Sequence, residues 1–152
     1  MDEMEKGLKE FMDYWFAGLL RGIEALDGPS QRKVLSECGK AYAQSYTVQV
    51  FREAKQNSVD LDSFLLNLSR KGSGSKYERI DSSTIKATYN KYGCDLVRLG
   101  LVKSPALCEC SAANLRENLR QSLGKSASVA IESSILRGGS HCVLIVSLEN
   151  AT

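Results

Sequence analysis

Residues 77–89 read YERIDSSTIKATY, and this stretch decides the fold class. On either side of Asp81-Ser82, polar and apolar side chains alternate with a period of two, which is typical of two antiparallel strands joined by a turn. Before Gly72 the period is different, because apolar residues recur every three or four positions, as they do on helices. Helices followed by strands favour an α+β fold, in which the helices pack on one face of an antiparallel sheet.

The N-terminal part, residues 1–71, is predicted to hold four helices. The first, from about Glu3 to Leu26, has the strongest pattern, and we expect its apolar stripe to pack on the protein's own core. Shorter helices are expected after Ser30 and over 48–55 and 60–70. The stripe consists of ten large apolar residues: Met4, Leu8, Phe11, Met12, Trp15, Phe16, Leu19, Leu20, Ile23 and Leu26.

The second part, residues 76–148, is predicted to form a roughly four-stranded sheet with one long helix. That helix is expected over 111–123, with Ser111 as its N-cap and Gly124 ending it. The last two strands, 127–136 and 141–148, would form a closing hairpin whose tight turn uses Gly138-Gly139. Residues 1–152 are therefore interpreted as a single domain, which their number also favours.

Composition argues against several classes of protein. The chain has 20 Lys and Arg against 18 Asp and Glu, a net charge of +2, which is too balanced for a nucleic-acid-binding surface. Its longest apolar runs, such as 142–146, are too short to span a bilayer, and the N-terminus lacks the pattern of a secretory signal. Five cysteines without an export signal favour reduced thiols and a cytoplasmic location.

Two motifs in the second part resemble a known family. Residues 99–111 read LGLVKSPALCECS, and residues 132–142 read ESSILRGGSHC. A Cys-x-Cys-Ser before a helix and a Gly-Gly-x-x-Cys closing the last hairpin are hallmarks of bacterial proteins similar to L-2-amino-thiazoline-4-carboxylic acid hydrolase. That group in turn resembles the 4-vinyl reductase-type ligand-binding domain. The resemblance covers about Gly93 to Leu148 and implies a small-molecule-binding domain or a hydrolase.

The cysteines supply candidate catalytic groups. Cys110 directly precedes the predicted N-cap, and a thiol beside a helix N-terminus can have a lowered pKa and act as a nucleophile. The predicted catalytic residues are therefore Cys110, Cys108 and His141, the last of which must be brought to the thiols by the fold. His141 cannot pair with Cys142, because neighbours on a strand face opposite sides. Thiols buried only for packing are the competing interpretation.

A ligand site is predicted around the same segment. Cys94, Cys142 and Ser111 would line it, and Trp15 would contact an apolar ligand. Free N–H groups at the start of the predicted helix would bind an anionic group of the ligand. No cofactor is expected, and the alternative is a zinc ion held by four thiolates. Those four residues are Cys94, Cys108, Cys110 and Cys142.

Three functions are considered. The first is a cytosolic domain that binds a small, mostly apolar molecule between its helices and its sheet. The second is a thiol-dependent hydrolase acting on a cyclic amide-like or thiazoline substrate, and the third is a structural dimerisation module. We also predict a homodimer, because the first helix carries more apolar surface than the rest of the chain needs for cover. Neither nucleic acid nor membrane is expected as a partner.

Overall fold

The structure, a computed structural model, describes residues 2–72 and 74–149. These residues form six α-helices and four strands, so the predicted α+β class is confirmed. The helices are α1 Glu3–Glu24, α2 Gly28–Tyr42, α3 Val48–Gln56, α4 Leu61–Lys71, α5 Asp95–Arg98 and α6 Leu107–Leu123. The strands are β1 Ser75–Arg79, β2 Thr84–Tyr89, β3 Ala127–Ser133 and β4 Cys142–Leu148.

The four strands form one antiparallel sheet in the order β1-β2-β4-β3. The closing hairpin, β3 and β4, is confirmed, and β4 lies between β2 and β3. Across β2 and β4, Ile85 pairs with Val146 and Ala87 pairs with Leu144. All four of these side chains are buried, because they point from the sheet towards the helices.

The core lies between this inner sheet face and three helices. Phe51 of α3, Phe64 and Leu68 of α4, and Leu115 and Leu119 of α6 are buried against the strands. Phe64 is fully buried, and its ring lies 6.4 Å from that of Phe51. The helical period of the sequence thus delivers the large side chains that cover the sheet.

Helices α2 and α6 pack unusually close together at Gly39. A Cβ placed on Gly39 would lie 2.5 Å from the Cys110 carbonyl oxygen and 2.6 Å from Ala113 Cβ. Such distances are shorter than van der Waals contact, so only a glycine permits this approach. The contact brings α2 beside the half of α6 that carries the cysteine motif.

The prediction that α1 packs on the protein's own core is wrong for nearly all of its stripe. Within α1 only Ile23 is buried, while Phe11 and Trp15 are 60% and 53% exposed. The physical reason is that α3, α4 and α6 already cover the sheet. The end of α1 is held by Gln31 Nε2, which donates to the Ile23 carbonyl oxygen at 3.2 Å, and by a hydrogen bond from Ser104 to Glu24.

The long helix begins earlier than predicted, at Leu107 rather than at 111, so Ser111 is not its N-cap. The chain turns into the helix at Ser104-Pro105, and Ser104 Oγ accepts from the Ala106 N–H at 3.2 Å. Pro105 directly precedes the N-cap residue, Ala106, so its missing N–H costs α6 no intrahelical hydrogen bond. Ser111 lies inside α6, where its hydroxyl donates to the Leu107 carbonyl oxygen.

Two further boundaries differ from the predictions. Strand β3 ends at Ser133, and residues 135–137 form a 3₁₀ turn, so the hairpin has a longer connection than a two-residue turn. Only Gly138 of the predicted glycine pair has a positive φ, 90°. Residues 72–74 lie between α4 and β1, and Ser73 of that stretch lies outside the described residues.

Candidate ligand-binding cavity

A cavity of about 590 Å³ lies between the inner face of the sheet and the helices. Its volume is within the range of small-molecule sites, roughly 300–1,000 Å³. Buried side chains such as Phe51, Leu115 and Leu144 line its deep end. Exposed residues such as Tyr46, Lys91 and Arg98 also line it, so the cavity opens to solvent on their side.

Aromatic hydroxyls form much of the wall. Five of the six tyrosines of the chain line the cavity: Tyr42, Tyr46, Tyr77, Tyr89 and Tyr92. The hydroxyls of Tyr77 and Tyr89 lie 3.1 Å apart, and burial raises the pKa of Tyr77 to about 12. Burial also raises the pKa of Tyr89 well above its ordinary value, so both phenols keep their protons at neutral pH. They present a neutral, mainly apolar surface with a small polar edge.

A polar cluster lies on the helical wall. Thr47 Oγ1 accepts from Asn114 Nδ2 at 3.1 Å and from Asn118 Nδ2 at 3.2 Å, and the two asparagines bond each other at 3.1 Å. Asn118 is only 1% exposed. Thr47 belongs to a five-residue π-helical segment, Ala43–Thr47, between α2 and α3. Such segments often occur at functional sites, and here it directs Tyr46 and Thr47 towards the cavity.

The open side of the cavity is bordered by residues 91–98, which we call the entrance segment. It is held to the helices through Asp95. Asp95 Oδ2 accepts from the Tyr46 hydroxyl at 2.9 Å and from the Tyr42 hydroxyl at 3.3 Å. Asp95 Oδ1 accepts from Arg98 at 2.9 Å. Both oxygens of the Asp95 carboxylate therefore accept hydrogen bonds from side chains of the protein itself.

Four of the five cysteines line this cavity: Cys94, Cys108, Cys110 and Cys142. Two of them connect elements. Cys108 Sγ lies 2.9 Å from Ser134 Oγ, and the Ile135 N–H donates to Cys142 Sγ at 3.4 Å. Both thiols therefore help to fix the 3₁₀ turn 135–137 beside α6 and β4. Their placement gives the two cysteine motifs a structural role.

The prediction that the Cys110 thiol has a lowered pKa is wrong. Burial raises the pKa of Cys110 to about 12, and the neighbouring Cys94 and Cys38 thiols act in the same direction. Cys110 is the fourth residue of α6 and does not precede the helix, as was predicted. A thiol with such a pKa is almost entirely protonated at neutral pH and is a poor nucleophile.

The predicted anion site at the helix start is also wrong. The N–H groups of Leu107, Cys108 and Glu109 each donate to the carbonyl oxygen three residues earlier, at 3.1 Å. These groups are the ones that would otherwise bind an anion at an N-terminus. The start of α6 therefore closes on itself.

His141 and Trp15 lie apart from the cavity. The His141 side chain is exposed, and its Nδ1 lies 2.9 Å from Ser140 Oγ. It is not among the residues that line the cavity with Cys108 and Cys110. Trp15 lies on the exposed α1, where its ring packs edge-on against Phe16 at 5.3 Å. Cys94, Cys142 and Ser111, by contrast, line the cavity.

Within residues 2–72 and 74–149, no group of three or more His, Cys, Asp or Glu side chains is placed to hold a metal ion. The four thiols predicted as an alternative zinc site share the cavity wall without converging on one point. The helices of the same ranges include none with the length and apolar character needed to cross a bilayer.

The sequence analysis did not predict several residues of the cavity wall, although the sequence pattern pointed to some of them. Tyr77 and Tyr89 occupy the same face of two predicted strands, and Asn118 falls among the apolar positions of the helix, next to Leu119. A polar residue at a core position often belongs to a buried hydrogen-bond cluster. Thr47 had no such signal, because its place depends on the π-helical segment.

No protein-family model matches the chain, and no curated protein matches it in sequence. Solved structures do match its fold. The trafficking protein particle complex subunit 3 from Naegleria fowleri, solved covalently bound to palmitic acid, is 10% identical with a TM-score of 0.58. That match covers 95% of this chain and 97% of the other. The phenol-responsive sensory domain of the transcription activator PoxR, solved with phenol, is 11% identical with a TM-score of 0.57, covering 93% and 73%.

Proposed function

We propose that this protein binds a small, mostly apolar molecule in the cavity between its sheet and its helices. The observation that carries the proposal is the cavity itself, about 590 Å³ in volume and walled by aromatic rings, aliphatic side chains and thiols. At about 30 Å³ for each water-sized atom, it has room for roughly 20 such atoms. A ligand of about ten non-hydrogen atoms fits with space for ordered water.

The wall has the division of labour that ligand sites usually show. Apolar side chains supply most of the contact area, and a few fixed polar groups orient the ligand. The Thr47–Asn114–Asn118 cluster and the Tyr92–Ser111 pair, with hydroxyl oxygens 2.8 Å apart, are such groups. Because these side chains bond one another, they are held in place before a ligand arrives, which lowers the cost of binding.

The fold matches add support from outside the chain. Both of these proteins were solved with a small or extended apolar molecule, palmitic acid in one and phenol in the other. Their sequences are too different for any residue role to be carried over. We use them only as support for an α+β fold of this kind enclosing an apolar ligand.

The test uses 1-octanol as a neutral apolar probe, titrated into the full chain by isothermal titration calorimetry. We expect saturable binding of one molecule per chain with a negative heat-capacity change, because apolar surface is buried. Val50 lines the cavity and is half-buried, so Val50→Trp should fill the space and weaken binding at least tenfold. The matched control is Val59→Trp, at a position that is 94% exposed and outside the cavity.

The outcome that overturns the proposal is octanol binding that Val50→Trp and Val59→Trp change equally, or no saturable binding by the unsubstituted chain. Circular dichroism and thermal unfolding of both variants show whether either has lost its fold. Native mass spectrometry of freshly purified protein adds a direct check, since a retained small molecule raises the measured mass.

The finer predictions remain proposals. Thiol-dependent hydrolysis through Cys110, Cys108 and His141 is the alternative function. The raised pKa of Cys110 argues against it, and His141 is not among the residues that line the cavity. We also propose a homodimer formed through the exposed stripe of α1. A cytoplasmic location and membership of the bacterial family that the cysteine motifs resemble stay predictions.

A further inference from the structure

The residues that line the cavity carry charge of only one sign. Two cations, Lys91 and Arg98, are among them, and no aspartate or glutamate is. The chain as a whole is nearly balanced, with 20 basic and 18 acidic residues. The cavity wall therefore differs from the chain as a whole, because it has basic residues without acidic ones.

The two cations differ in whether their charge is already paired within the protein. Arg98 Nη1 donates to Asp95 Oδ1 at 2.9 Å, so part of its charge is already neutralised. Lys91 is exposed and makes no hydrogen bond or ion pair with a side chain among the described residues. Its ammonium group is consequently the one that has charge available for a ligand. The Asp95 carboxylate pairs with Arg98 and not with Lys91, and its other oxygen accepts from the Tyr42 and Tyr46 hydroxyls.

The position of the charge is as informative as its sign. Lys91 and Arg98 lie in the entrance segment, where the wall meets solvent, and the deep end is lined by buried residues such as Phe51, Leu115 and Leu144. An ion is costly to bury among apolar groups and much less so at an opening that water reaches. The cavity is thus polarised from a cationic entrance to an apolar interior.

We propose that the natural ligand of this cavity is an amphiphilic acid, with its apolar body inside and its anionic group at Lys91. The inference rests on the proposed function and adds to it the chemical class of the ligand. The anionic group would receive the charge-assisted hydrogen bonds of the Lys91 ammonium, and Arg98 would add attraction at longer range. The interior would take an aliphatic or aromatic body of about ten non-hydrogen atoms.

The test compares three probes that share one tail, octanoate, 1-octanol and octylammonium, by calorimetry at pH 7 and low salt. We expect octanoate to bind tightest and octylammonium weakest. Lys91→Gln should weaken octanoate binding about threefold to fivefold, the size of an exposed ion pair, and leave octanol binding unchanged. Lys91→Glu should reverse the order of octanoate and octylammonium. Lys55→Gln, on the exposed side of α3 and outside the cavity wall, removes the same charge and should change nothing.

Two outcomes overturn the inference while the proposed function survives. One is octanol binding that Val50→Trp abolishes, with octanoate no tighter than octanol. The other is an octanoate preference that Lys91→Gln and Lys55→Gln reduce equally, because it would then reflect net charge alone. Failure of all three probes to bind overturns the proposed function instead. Raising the salt concentration to 0.5 M should reduce the octanoate preference, since exposed ion pairs are screened.

Discussion

Single residues decide how closely the elements approach and what the cavity wall can do. Gly39 sets the contact between α2 and α6, and Cys110 lies on the cavity side of that contact with its carbonyl oxygen against the glycine. Neither role can be deduced from the sequence. The sequence shows a glycine within a helical pattern and a cysteine near a helix start, and only the packing of the two helices reveals the close approach and the burial.

The first prediction concerns Gly39→Ala. Because a Cβ there would lie 2.5 Å from a backbone oxygen and 2.8 Å from the Asn114 nitrogen, the helices must move apart. We expect the free energy of unfolding to fall by about 1–3 kcal/mol, as in other overpacked cores. Chemical denaturation measures it. Gly7→Ala in α1, where a Cβ meets nothing within 4 Å, is the control and should leave stability equal or raise it. Equal effects of the two substitutions would contradict the packing.

The second prediction concerns thiol reactivity. With the pKa of Cys110 raised to about 12 from a reference of 9.0, its thiolate fraction at pH 8 falls about a thousandfold. We expect iodoacetamide to modify the exposed Cys38 first and to leave Cys108, Cys110 and Cys142 unmodified in the native protein. Mass spectrometry of peptides measures the modification of each cysteine. All of the cysteines should react once denaturant is added. Rapid native labelling of Cys110 would contradict this prediction and favour the hydrolase alternative.

At the scale of elements, the sequence predicts existence better than boundaries. The alternation in β2 and β4 and the period of α4 predicted those elements to within two residues. The start of α6 was misplaced because Ser111 was interpreted as the N-cap, whereas the helix begins at Leu107, after a turn in which Ser104 accepts from the Ala106 N–H. The connection after β3 was misplaced because Cys108 and Cys142 stabilise a 3₁₀ turn through long-range contacts that no local pattern shows.

The third prediction belongs to α6, whose last turns are held by an ion pair. Arg120 donates to both carboxylate oxygens of Glu117, and these hydrogen bonds lower the pKa of Glu117 to about 2. A lowered carboxyl pKa contributes stability above the ordinary value of 4.5, and this is lost as the pH falls towards 2. We expect Glu117→Gln to cost on the order of 1 kcal/mol at pH 7, since Arg120 is half-exposed, and much less at pH 2.5.

Denaturant unfolding at several pH values measures this difference. The control is Glu132→Gln, an exposed carboxylate on β3 with no partner among the described residues. A stability difference between the unsubstituted chain and Glu117→Gln that stays constant from pH 7 to pH 2.5 would show that the ion pair contributes nothing.

At the scale of the whole molecule, the sequence predicted the fold class and the order of the main elements. It did not predict the cavity wall as a unit, because wall residues such as Thr47, Lys91 and Leu144 come from parts of the chain that are far apart in sequence. It also assigned α1 to the core, although the sheet is covered without it. The amphipathic pattern of a helix indicates that its apolar face will be covered. It does not indicate whether the protein's own core or another molecule covers that face.

The last prediction is that a second copy of the chain covers α1. Its stripe extends over several turns with large apolar side chains exposed, which is more than a monomer ordinarily leaves open to water. A membrane surface is a poor alternative, because helices that bind one are rich in Lys and Arg, whereas residues 2–13 of this chain carry five acidic and two basic residues.

We therefore expect a homodimer at micromolar concentration by light scattering. The double substitution Phe11→Glu and Leu19→Glu should give a folded monomer, while Val59→Glu, an exposed apolar residue outside α1, should leave the dimer intact. A monomer in the unsubstituted chain would contradict the prediction, as would a dimer unaffected by the double substitution.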